Sequence, residues 1–223
     1  MPKPARRIQQ IRKIKKEILD SALRIINQEG IDNFSMRKLA EKSEMSPANL
    51  YNYYRSKENI IIELDNNGFK ILYHKVKNAV NSASTSIDKI KALVREYIEF
   101  GIHPERVHQY NIMFNSARVS DYAGTGFEAL VEYQTRKAFR ILDISYKVIS
   151  EYIKVNPKLY KKDPKILTLR IWIELHGLVS FFNNRLFNEL YYSNDFNKFA
   201  QDPRKTVEKL TEKLINSLIK GDL

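Results

Sequence analysis

A stripe of apolar residues sets a helical rhythm at the amino end of this chain. Ile11, Ile14, Ile18, Ala22 and Ile25 follow one another at intervals of 3, 4, 4 and 3, the spacing of a single helix face. Gly30 comes next, in the position where a left-handed residue ends a helix. Ser35 predicts the cap of a short second helix running to about Lys42. Ser46-Pro47 predicts a third, with serine as cap and proline at the first helical position, reaching about Tyr53. Ser56 opens a fourth, with Glu58 in the first turn, where the helix dipole favours an acid.

The remaining chain is also periodic, in segments near 57–81, 87–101, 104–118, 126–155, 164–191 and 203–220. Ser82-Ala-Ser-Thr-Ser reads as a loop, Gly101-Ile-His-Pro104 as a break and Gly124-Thr-Gly126 as a loop. Asp163-Pro164 and Asp202-Pro203 are cap-plus-proline starts. No strand-like alternation and no internal repeat stand out. The expectation is an all-α chain: a three-helix helix-turn-helix domain over 1–56, with a basic amino-terminal arm, and a larger helical domain over 57–223.

Composition narrows this picture. The 223 residues carry 7 glycines and 7 prolines, few chain-breakers for this length, which agrees with helices. Cysteine is absent, so disulfides, thiol nucleophiles and thiolate metal sites are excluded. Lys and Arg number 38 against 26 Asp and Glu, a formal charge of +12, and such an excess favours a polyanionic partner. Residues 1–16 hold seven basic side chains (Lys3, Arg6, Arg7, Arg12, Lys13, Lys15, Lys16) and no acidic one. They read as a flexible basic arm running into a helix, equally a solvated tail or a nucleic-acid arm. No apolar run approaches the ~20 residues of a membrane span, and no signal peptide follows the basic start, so the cytoplasm is the expected location.

Three short helices within the first ~55 residues are the arrangement of a helix-turn-helix DNA reader. The first needs an apolar bracing face, supplied by Ile18, Leu19, Ala22, Ile25 and Ile26. The second needs a small residue at the crossing, which Ala40 supplies beside Leu39, and the turn needs an inward apolar residue, Met45. The third is anchored by Leu50 and Tyr54, while Ser46, Asn49, Asn52 and Tyr53 face out.

From Ile18 to Ile60 the chain resembles the TetR family of bacterial transcriptional regulators. The resemblance rests on Ala22, Gly30, Phe34-Ser35-Met36-Arg37-Lys38-Leu39-Ala40, Met45-Ser46-Pro47-Ala48-Asn49-Leu50-Tyr51-Asn52-Tyr53-Tyr54 and Ser56-Lys57-Glu58. One departure is Glu44, where the family has glycine in the turn; a non-glycine residue forced to positive φ costs roughly 1–2 kcal/mol.

The resemblance implies roles. Ser35 caps its helix and touches a phosphate; Tyr51, Tyr53 and Lys57 contact phosphates, the last at a helix start whose N–H groups also favour an anion. Ser46, Ala48, Asn49 and Asn52, on either side of Pro47, lie where base edges are met. Asparagine can pair with adenine through two hydrogen bonds, and an alanine methyl can touch a thymine methyl. Arg37 reads equally as a phosphate contact or a solvated helix face.

The resemblance also implies a carboxy-terminal ligand pocket and a homodimer interface. Tyr97, Phe100, His103, Met113, Phe114, Tyr133 and Arg136 lie on helices that line the cavity in relatives; each reads at least as well as core. Trp172, Leu175, Val179, Phe182 and Leu186 form a stripe stepping 3, 4, 3 and 4, with Ile171, Leu178 and Phe181 as a second apolar face. A helix apolar on two sides is either central or shared between subunits. Val207, Leu210, Leu214 and Leu218 give the last helix a similar stripe. Gly177, in a Trp/His-Gly-like element beginning at Trp172, would allow close helix approach.

Enzymatic constellations are missing. His103 and His108 are five apart and share no helix face, and no phosphate loop or Gly-x-Ser-x-Gly is present. No catalytic residue, cofactor or metal is expected. The reading is a repressor released from a double-stranded DNA operator by a small-molecule effector of hydrophobic leaning. The alternative is a basic helical protein that binds anionic membranes or nucleic acid without sequence preference.

Overall fold

The computed structural model describes residues 4–115, 119–156, 159 and 162–220. Every regular element among them is helical. The chain packs as two compact units, Met1–Phe69 with His108–Gln134, and Lys70–Val107 with Thr135–Leu223.

The first unit begins with α1 (Pro4–Glu29). The helix already runs through the basic segment from Pro4, which corrects the expectation of a flexible arm there; Lys3 lies outside the described residues. Gly30 ends α1 at φ 82, its N–H donating to the Ile26 carbonyl at 2.9 Å. Next come α2 (Met36–Lys42), α3 (Pro47–Tyr51) and the start of α4 (Lys57–Ser82). One core joins them. Ile18, Ala22 and Ile25 of α1 meet Phe34, Leu39 and Ala40, Leu50 of α3, Tyr54, and Ile60 and Leu64 of α4. Each such fully buried aliphatic or aromatic side chain contributes about 1.5–3 kcal/mol.

α6 (Val107–Asn115) adds Ile112 to that core. The flexible Met113 side chain packs into the space that a Cβ on Gly68 would take. The helix expected over 104–118 starts later, after a turn in which Arg106 and Val107 N–H groups donate to the His103 carbonyl. Residues 116–118 lie outside the described ones, and a 3-10 turn follows at Val119–Tyr122.

In the second unit, α5 (Ser86–Ile102) packs on α8 (Arg140–Val155), α9 (Pro164–Asn183) and α11 (Pro203–Lys220). Thr85 caps α5 by accepting from the Asp88 N–H, and Asp163 caps α9 by accepting from the Lys165 N–H at 2.7 Å. Leu167, Ile171, Leu175 and Val179, each four residues apart, form the buried face of α9.

Two expected helices are shorter than their periodicity suggested. The segment 126–155 divides at Phe139 into α7 (Glu128–Ala138) and α8. Phe139 stays right-handed (φ −64, ψ −11) and keeps its hydrogen bonds to Thr135 and from Asp143, so the division is a kink rather than a loop. The segment 164–191 ends at Asn183, because Arg185 adopts the left-handed conformation at φ 58. A single turn, α10 (Leu186–Glu189), and 3-10 turns at Leu190–Tyr192 and Asn197–Phe199 then lead to α11.

Candidate nucleic-acid interface

The turn between α2 and α3 is built from hydrogen bonds that its own sequence specifies. Ser35 caps α2 by accepting from the Lys38 N–H at 3.3 Å. At the other end the Glu44 N–H donates to Glu41 and the Met45 N–H to Ala40 at 2.9 Å. This paired closure satisfies the last carbonyls of α2 and requires a left-handed residue in its middle. Glu44 takes that conformation at φ 53, as its place in the turn predicts. Met45 turns inward against the core.

Ser46 starts α3 by accepting from the Asn49 N–H at 3.2 Å, with Pro47 in the first turn. The five residues of α3 divide sharply. Leu50 is fully buried, while Pro47, Ala48, Asn49 and Tyr51 are exposed, as are the flanking Ser46 and Asn52. One anchor therefore holds a short rod whose outer face carries small and amide side chains together with the half-exposed Tyr51 ring.

The other residues singled out by sequence are placed unevenly. Arg37 is exposed on α2 and Ser35 half-buried at its cap. Tyr53 is half-buried against the core, so only part of its ring is open to a partner. The Lys57 ammonium donates to the Ile31 carbonyl at 2.9 Å and sits 5.9 Å from the Phe34 ring. It ties the start of α4 to the turn after α1, and two of its three donors remain for an anion.

Two features carried no sequence signal. Lys15 lies over the Tyr54 ring at 5.0 Å, a pairing across 39 positions that no spacing rule reveals. Lys38 pairs with Glu29 at 2.6 Å, and that hydrogen bond holds the Glu29 carboxyl below its ordinary range. Burial, and then the Glu63 charge, pushes the Tyr54 hydroxyl up, and its oxygen has no hydrogen-bond partner among the described residues.

The carboxy-terminal candidates fall on both units. Tyr97 and Phe100 are fully buried in the second, His103 is half-buried and Arg136 is exposed. In the first, Met113 is fully buried, Phe114 stacks near Tyr110 and Phe69, and Tyr133 is 57% exposed. Trp172 packs beside Tyr97 with ring centres 6.0 Å apart, and Leu175 is buried within its own unit. Leu178, Phe181, Leu210 and Leu214 line an open groove of about 900 Å³ between α9 and α11, and Phe182 is half-buried. Gly177 lies on that groove with nothing within 4 Å of a Cβ built on it, so it brings no helix close within one chain.

A capped helix pair, held by buried Leu39, Ala40 and Leu50 with the second helix turned outward, is the arrangement of a helix-turn-helix DNA-binding domain. Residues 18–64 match the family described as bacterial regulatory proteins, tetR family. That match covers the helix-turn-helix segment, about a fifth of the chain. It is 27% identical over 108 residues to the HTH-type transcriptional regulator BetI of Rhizobium meliloti, a match covering 48% of this chain and 53% of that protein. The chain thus spans about half the length of that relative.

Solved structures share the fold across nearly the whole chain. The regulator FadR of Bacillus subtilis, in complex with stearoyl-CoA, superposes at a TM-score of 0.63 with 15% identity, covering 92% of this chain and 98% of that one. AibR, in complex with isovaleryl coenzyme A and operator DNA, gives 0.64 with 17% identity over 92% and 98%. The ketosteroid regulator KstR2 of Mycobacterium tuberculosis gives 0.61 with 15% identity over 93% of both chains.

Proposed function

We propose that this chain is a homodimeric transcriptional repressor that reads operator DNA with α3 and is released from it by a small molecule bound in the region 57–223. The observation that carries the proposal is the outward face of α3. Ser46, Ala48, Asn49 and Asn52 stand exposed together on one fully buried anchor, Leu50. Asn49 and Asn52 supply the amide groups that pair with adenine, and Ala48 supplies a methyl for thymine. Ser35, Arg37, Tyr51, Tyr53 and Lys57 surround them as phosphate contacts that fix register without reading sequence.

The apolar surface of α9 and α11 supports the dimer. Ile166, Leu169 and Ile173 are exposed along α9, next to the groove lined by Leu178, Phe181, Leu210 and Leu214. A second copy of the same surface would cover them in an isologous four-helix contact. Two reading helices would then meet successive major grooves, ~34 Å apart. An effector that favours a different spacing of those helices weakens DNA binding, and DNA weakens effector binding to the same degree.

Of the relatives, FadR holds stearoyl-CoA and AibR isovaleryl coenzyme A. This supports a ligand with an acyl or other apolar body as the first class to screen. The test is selection of genomic duplexes by the purified protein at moderate salt, followed by release with a panel of acyl-CoA thioesters. Enrichment of a two-fold symmetric site, lost on addition of one thioester, is the expected result. No enrichment of any site would sink the proposal.

A further inference from the structure

We infer that the basic amino-terminal stretch of α1, residues 4–16, is a second grip on duplex DNA, holding phosphates outside the bases that α3 reads. The inference rests on the DNA-reading proposal and extends it to a surface beyond the family match, which begins at residue 18.

Charge is the first argument. Arg6, Arg7, Arg12, Lys13, Lys15 and Lys16 fall within this stretch, and the first acid is Glu17. Like charges on neighbouring turns repel, and α1 has no acid in its first turn to offset them. Internal pairing takes up little of this. Lys16 meets Asp20 at 2.6 Å and Lys13 meets Glu17 at 3.9 Å, both as exposed pairs, while Arg12 has no carboxylate partner among the described residues. A row of phosphates at the spacing of duplex DNA neutralises such a stretch and gains from counterion release.

Position is the second argument. Lys15 over the Tyr54 ring fixes the stretch beside the segment that follows α3. From Lys15 back to Pro4 the helix extends about 17 Å, the length of about five base pairs. An anionic membrane is the competing partner, because Ile8 and Ile11 are 51% and 39% exposed. Two isoleucines give little area to insert, and attachment beside the reading helix favours DNA.

The experiment compares the full chain with the variant Arg6→Gln/Arg7→Gln/Arg12→Gln/Lys13→Gln. Glutamine retains helix propensity, and Arg12 and Lys13 are exposed. The readout is the slope of log affinity against log salt, on a selected duplex and on an unrelated one. The expected slope for the dimer is shallower by about 7, from four lost contacts in each of two protomers at ~0.9 each, with affinity lowered equally on both duplexes. The order of preference among single-base variants should not change.

An unchanged slope with intact base preference overturns the grip and leaves the DNA-reading proposal standing. Absence of any base preference in the wild type defeats that proposal instead, while the slope still tests the grip. Binding to phosphatidylserine vesicles that duplex fails to compete, abolished in the variant, would assign the stretch to a membrane and overturn the inference.

Discussion

α3 and α9 both expose most of a helix face, but α3 shows Ser46, Ala48, Asn49 and Asn52, whereas α9 shows Ile166, Leu169 and Ile173, the last 71% exposed. Polar groups on α3 lose nothing by standing in water and gain direction when they meet a partner with a fixed pattern of donors and acceptors. Apolar groups on α9 lose about 25 cal/mol for each Å² left wet, so any matching apolar surface relieves them. One face is built for discrimination and the other for association. Their anchoring differs too. α3 hangs on a single buried leucine, while α9 is held by Leu167, Ile171, Leu175 and Val179.

The largest consequence lies in that single anchor. Leu50→Ala removes a fully buried side chain from the only inward position of a five-residue helix. The expected loss is about 2–5 kcal/mol, read as a lower midpoint in denaturant and loss of specific DNA binding together. A comparable truncation on α9, where three neighbours share the face, should leave DNA recognition intact. Equal effects at the two sites would show that α3 is held by contacts other than its leucine.

The α9 face is tested by charge rather than by volume. Ile173→Glu places like charges opposite each other if two copies meet on this face, a juxtaposition that costs several kcal/mol. Sedimentation should show the mass falling from dimer to monomer with unchanged helical content, because Ile173 contributes nothing to the chain's own core. Operator affinity should fall with it. A dimer that survives the substitution removes α9 from the interface.

On α3 the matching test leaves the fold alone. Asn49→Ala changes an exposed residue whose backbone, not its side chain, completes the Ser46 cap. Discrimination at one base pair should relax by about 1–3 kcal/mol, with binding to unrelated duplex unaltered. Uniform loss on every sequence would make Asn49 a phosphate contact.

The contrast between the two helices also explains what could be read from the sequence. Around α3 the information is local: a serine cap, a proline, a left-handed residue and one apolar anchor lie within a few positions, and each has its expected geometry. Gly30 and Ser35 behave in the same way. In the second unit the determinants are longer-ranged. Phe139 interrupts the run 126–155 without a glycine or proline, since a kink that keeps its hydrogen bonds needs no breaker residue. The end of α9 was signalled by Asn183-Asn184, residues favoured at helix ends, but apolar periodicity through Phe187 and Leu190 masked it. The helical state of the basic segment was obscured by its charge, which argued for an arm, whereas Ile8, Ile11 and Ile14 continue the stripe of α1. The pocket candidates came from family likeness alone, and their burial ranges from complete at Tyr97 to slight at Tyr133.

Glu44 offers the smallest effect and the cleanest separation of backbone from side chain. Its φ of 53 lies where a Cβ is crowded, at a cost of roughly 1–2 kcal/mol, and the bonds from Glu44 to Glu41 and from Met45 to Ala40 hold it there. Glu44→Gly relieves the crowding but gives the unfolded chain more freedom, worth about 0.5–1 kcal/mol the other way. The balance is a gain of about 0.5–1 kcal/mol, or about 1–4 °C in Tm for a chain of this size. Glu44→Ala serves as the control, because alanine keeps the Cβ and loses only the exposed carboxylate. Glycine should stabilise and alanine should not, with base preference the same in both. An equal gain from alanine would trace the cost to the carboxylate and leave the left-handed turn without a penalty.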